Sequence, residues 1–102
     1  MKTVEARIRW KTQAEGGRKT IPPGPRYSTV ARFPGAKKDW LEEAWSLIVE
    51  YEAPVWDDGN VVAAVRFLAD GAPEELLNVG CEFELLEGSK MVAEGVVLSE
   101  RS

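Results

Sequence analysis

Three basic side chains, Arg18, Lys19 and Arg26, stand among three glycines and three prolines in the stretch QAEGGRKTIPPGPRYS, residues 13–28. A glycine-rich loop followed by a lysine can cradle phosphate with its backbone N–H groups. That chemistry needs the spacing G-x-x-x-x-G-K-[ST] and a helix behind it. EGGRKT has the wrong glycine spacing, and no helical pattern follows. Elsewhere, Asp57, Asp58 and Asn60 in WDDGN supply too few oxygen ligands for a calcium loop. Their Asp-Gly pair is instead a hairpin signal. Glu82 and Glu84 can share one strand face, the placement of solvated acids far more often than of a catalytic dyad.

Histidine is absent and cysteine occurs once, which removes the commonest general base and the usual zinc sites. The expectation is a non-catalytic protein with no cofactor and no metal. Cys81, in VGCEFELL, has no internal disulfide partner and is expected as a buried structural thiol on an alternating strand.

These residues need a scaffold, and 102 residues suffice for one domain with one core. The opening MKTVEARIRWK is too charged for a secretory signal, and the longest apolar run, residues 61–65, is far too short to span a bilayer. A cytoplasmic protein is expected. The net charge of −4 conceals an asymmetry: residues 1–40 carry ten Lys/Arg against three acids, and the remaining 62 carry three against fourteen. Either the protein offers two faces to two kinds of partner, or basic and acidic strands pair within one sheet.

Alternation begins at once. Val4, Ala6, Ile8 and Trp10 share one side of a strand, and Glu5, Arg7, Arg9 and Lys11 share the other. The Gly/Pro segment breaks the pattern, and YSTVARF, residues 27–33, resumes it as a second strand. Leu41, Ala44, Trp45 and Ile48 fall at helical spacing, with Asp39 and Glu42 positioned for a capping box, whereas Trp45, Leu47, Val49 and Tyr51 alternate, so a short turn or helix near 39–44 is expected to lead into a strand. VVAAVRFLA, residues 61–69, is apolar on both faces and suggests a central strand; DGAPEELLN is a loop with room for one helical turn. Two alternating runs, 79–87 and 91–98, close the chain. The economical architecture is all-β: a single closed antiparallel β-barrel of about six strands.

Three segments carry a family resemblance. EGGRKTIPPGPR between two strands, DGNVVAAVRFL, and CEFELLEGSKMVAEGVV at the end resemble, in the same order, the C-terminal third domain of elongation factor Tu. The resemblance spans most of residues 1–102. It departs at an insertion of about 34–56, and the GTPase domain has no counterpart here. It implies a β-barrel without GTPase activity.

In that family the domain contacts the backbone of aminoacyl-tRNA and also a protein, the nucleotide-exchange factor. The resemblance carries the RNA-contacting loop residues onto Arg18 and Lys19, while Ser28 replaces a contacting glutamine. Arg26, Arg7, Arg9 and Lys11 are the further candidates for a basic patch. Two functions follow as expectations: a protein-binding module related to translation, or a module that grips the backbone of tRNA-like RNA. Trp40, Trp45 and Trp56 are the candidates for an interface, since tryptophan is enriched there.

Overall fold

The computed structural model describes residues 2–34 and 45–101. Six strands form: β1 (Val4–Trp10), β2 (Arg26–Arg32), β3 (Trp45–Tyr51), β4 (Asn60–Phe67), β5 (Glu82–Glu87) and β6 (Lys90–Glu100). They close into a barrel in the order β1-β4-β3-β2-β5-β6, with every neighbouring pair antiparallel. The all-β class and the closed six-stranded barrel are therefore as the alternation predicts. The helical turn expected near 39–44 lies outside the described residues, as does Trp40. The described part of the expected 34–56 insertion includes β3, which is a full member of the barrel wall.

Strand period two decides what fills the interior. Val4, Ala6, Ile8 and Trp10 from β1 and Val61, Ala63, Val65 and Phe67 from β4 all point inward and are buried. Phe33 packs against Phe67 and Phe83 at one end, with ring centroids 5.8 and 6.1 Å away, and Trp10 meets Tyr27 edge-on at 5.4 Å near the other. Each such side chain contributes roughly 1.5–3 kcal/mol by leaving water. Gly95 faces the same interior, and the Phe83 ring lies directly over it, in the space a Cβ would need.

Two expectations need correction. A closed barrel has no central strand, so β4 is not one. Its outward Val62 and Ala64 are only half-buried, and Arg101 reaches past β4 to both Glu5 and Glu52. Cys81 is not on an alternating strand: it precedes β5, half-buried, with its N–H bonded to the Asn78 carbonyl at 2.9 Å. Gly80, at φ +87°, turns the chain there and delays the strand by a residue. The loop helix is present as a 3-10 turn, Glu74–Leu77, which buries Leu76 and Leu77. Among the described residues no helix is long and apolar enough to cross a membrane.

Candidate functional site

The chain leaves β1, β3 and β5 and enters β2, β4 and β6 at the same end of the barrel, which collects segments 11–25, 52–59 and 88–89. This upper end holds most of the basic candidates.

Segment 11–25 is built from local chemistry. Thr12 caps a 3-10 turn, Gln13–Glu15: its side chain accepts the Glu15 N–H at 3.2 Å, and Glu15 returns an acceptor to the Thr12 N–H at 2.9 Å. The T-x-x-E spacing signals this reciprocal cap. The sequence reading missed it because no apolar run follows. Gly16, at φ +88°, ends the turn, and the Gly17 N–H bonds back to the Thr12 carbonyl at 2.8 Å. A Cβ on Gly17 would sit 2.7 Å from the Lys11 Cβ and closer still to the Lys11 carbonyl oxygen. The paired glycines thus serve the chain path. So do the prolines, since Tyr51 donates its hydroxyl to the Pro22 carbonyl at 2.9 Å and its N–H to that of Pro25 at 2.7 Å. Burial pushes the Tyr51 phenol up to about 12.

Arg18 is bound inward. Its guanidinium pairs with Glu87, donates Nε to the Thr20 carbonyl at 2.9 Å and stands 5.8 Å from the centre of the Tyr27 ring. The Tyr27 hydroxyl donates to the same Glu87 oxygen, and the Thr29 hydroxyl donates to the Leu86 carbonyl. Burial acts to raise the Glu87 carboxyl, but the Tyr27 hydroxyl and the Arg18 guanidinium outweigh it and hold the group below the usual carboxylate range. Burial raises the Tyr27 phenol, and donation to Glu87 raises it further. None of Glu87, Tyr27 and Thr29 belongs to the sequence-derived candidates.

Arg9 meets Glu15 and Glu94, both at 3.2 Å, and Lys11 approaches Glu94 at 4.0 Å. Arg7 and Arg9 line a shallow cleft of about 180 Å³ on the barrel wall together with Glu82 and Glu94. Lys2 and Arg32 pair with Glu100 and Glu84. The charge asymmetry between chain halves is thus largely cancelled across the seams where β1 adjoins β6 and β2 adjoins β5. Arg7, Lys19, Arg26 and Lys90 form no ion pair among the described residues, and Arg7, Lys19 and Arg26 are exposed. Lys11, Arg18 and Lys19 come together along one upper cleft of about 380 Å³, whereas Arg26 stands at the start of β2 opposite Glu50.

The tryptophans separate. Trp45 turns inward, half-buried, and packs against Phe67 with centroids 6.2 Å apart. Trp56 is 58% exposed on the Asp-Gly turn, where its N–H bonds the Asn60 carbonyl at 2.8 Å and its carbonyl accepts the Gly59 N–H at 2.9 Å. Its neighbours on either side line two different clefts: Val55 with Pro23, Pro25 and Pro54, and Asp57 with Ile21 and Lys19. Among the described residues no cluster of three acidic, Cys or His groups could hold a metal ion.

Fold and site together define a small closed antiparallel barrel with a built, mixed-charge upper end. The sequence matches no protein-family model and no curated protein.

Proposed function

We propose that the chain is a non-catalytic binding module whose upper end engages a protein partner, in the translation-related setting that its resemblance to the elongation factor Tu C-terminal domain suggests. One observation carries this reading: Trp56 is more than half exposed, yet its backbone is fixed by two turn hydrogen bonds between two clefts. An exposed tryptophan on a hydrogen-bonded turn offers large contact area with little backbone left to order, which suits an interface anchor. Exposed Ile21 lines the neighbouring cleft. Trp56→Ala with Ile21→Ser is expected to abolish capture of a partner that survives RNase treatment of the lysate. Capture that vanishes with RNase, or that the double variant retains, would overturn the proposal.

RNA-backbone binding is the second reading, favoured by Lys19, Arg26 and Lys90, which form no ion pair among the described residues. Against it, the cation carried over as the RNA grip, Arg18, is committed to Glu87, and a net charge of −4 disfavours a polyanion. The RNA reading predicts that bulk tRNA shifts the protein at low salt and that Lys19→Ala flattens the salt dependence by about 0.9 in log–log slope. No shift at low salt removes it.

A further inference from the structure

β2 pairs with β3 from Arg26 to Ala31, but with β5 over a shorter stretch. Pro25 accepts the Tyr51 N–H without one of its own to return, so the odd residues face β3, and Tyr27, Thr29 and Ala31 exchange hydrogen bonds with it. The even residues must then direct their N–H and C=O groups to the other side. There β5 pairs only with Val30, Ala31 and Arg32, through Leu86, Leu85 and Glu84. Above Val30 the ladder stops. Among the described residues the register leaves Arg26 and Ser28, each with one N–H and one C=O, without a strand partner on the β5 side, and both residues are exposed. Side chains bridge the seam there instead of backbone: Thr29 to Leu86, and Tyr27 and Arg18 to Glu87.

This opening has a charge. Glu87 lines a cleft of about 240 Å³ with Arg18, Lys19, Thr20 and Lys90, three cations against one carboxylate, and Arg26 lies on the edge itself. Glu87 is already satisfied by Arg18 and Tyr27, so Lys19 and Lys90 are the charges left for a ligand.

We infer that Arg26–Ser28 is an open strand edge that receives an extended acidic segment of a protein partner, its backbone adding to β2 and its carboxylates meeting Lys19, Lys90 and Arg26. The inference rests on the protein-binding reading and specifies the form of the partner. Unpaired edge groups template an added strand. The flanking cations select an acidic one and repel a second copy of this same edge.

Amide hydrogen exchange of the ¹⁵N-labelled full chain tests it in two stages. In the free protein, the Arg26 and Ser28 amides exchange at least tenfold faster than those of Tyr27 and Thr29. Addition of a capped hexapeptide alternating glutamate and valine, at ten times its Kd, then slows Arg26 and Ser28 about tenfold. Lys19→Glu with Lys90→Glu weakens that peptide about tenfold or more, and a lysine–valine peptide gives no protection.

Slow Arg26 and Ser28 amides in the free protein would overturn the inference, because the seam would be closed. So would the absence of protection at millimolar peptide, or tRNA shifting Lys19 and Lys90 with no edge protection. If peptide protection fails while capture sensitive to Trp56→Ala persists, only the strand inference falls. If RNase abolishes all capture while the peptide still protects the edge, it is the Trp56 reading that falls.

Discussion

Arg18 and Lys19 are adjacent in sequence, yet their replacement separates stability from surface charge. Arg18→Ala removes an ion pair whose side chains are 31% and 33% exposed, a hydrogen bond to the Thr20 carbonyl, and a cation over the Tyr27 ring. Partial exposure keeps the ion pair near 1 kcal/mol. The carbonyl hydrogen bond adds about 1 kcal/mol and the ring contact roughly 0.5. These overlap in one side chain, so the expected loss is about 1–2 kcal/mol, or ~5–10 °C in Tm for a domain of this size. Lys19 is exposed and forms no ion pair among the described residues, so Lys19→Ala should stay within about 0.5 kcal/mol of the parent.

Urea denaturation followed by tryptophan fluorescence measures both. The pH dependence gives a second check. Glu87 has a folded-state pKa below its unfolded value, so its contribution is complete above the unfolded value and disappears as pH falls through the folded one. The gap between parent and Arg18→Ala should therefore narrow in acid. Equal stabilities of Arg18→Ala and Lys19→Ala near neutral pH, or a gap independent of pH down to the acid limit, would refute the assignment of Arg18 to the Glu87 cluster.

Gly95→Ala drives a methyl into the Phe83 ring, which is 1% exposed and cannot withdraw; a loss of about 2–3 kcal/mol is expected. In a Phe83→Leu background the loss should shrink, and strict additivity in the denaturation cycle would show that the two do not compete for space. Gly17→Ala should cost more than Gly16→Ala, since the first meets the Lys11 backbone and the second meets open space and pays only about 1 kcal/mol for its left-handed φ; thermal melts compare them. Tyr51 ionises near 12, above its value in the unfolded chain. Its contribution is thus whole below the ordinary tyrosine range and lost as pH rises toward 12, so Tyr51→Phe should lose less stability than the parent over that interval, read by alkaline denaturation.

What could be read in advance depended on how local its cause was. Val4, Ala6, Ile8 and Trp10 declare their strand and its inner face within seven residues, because period two needs no partner to be visible. The Asp-Gly turn is equally local. The fate of Arg18 was not, since Glu87 lies 69 residues away and becomes a neighbour only when β5 is placed beside β2. Strand order likewise turns an apparent division of charge into paired seams, with Arg9 against Glu94 where β1 meets β6 and Arg32 against Glu84 where β2 meets β5. Either outcome fits the composition; only strand order chooses between them.

The open stretch of β2 lies one step further from the sequence. Its residues have unremarkable strand propensity, and nothing in RYSTVAR distinguishes Ser28, which has a partner on β3 but none on β5, from Val30, which has both. The difference comes from closure: β6 is long enough to pair with both β5 and β1, whereas β5 ends at Glu87 before it can cover the start of β2. Six strands of unequal length cannot seal every seam to the same height. Among the described residues the gap borders the cleft that holds Lys19 and Lys90, and exposed Trp56 stands on another loop of the same end, so open backbone, spare charge and exposed apolar surface are collected where the proposed polypeptide partner would meet them.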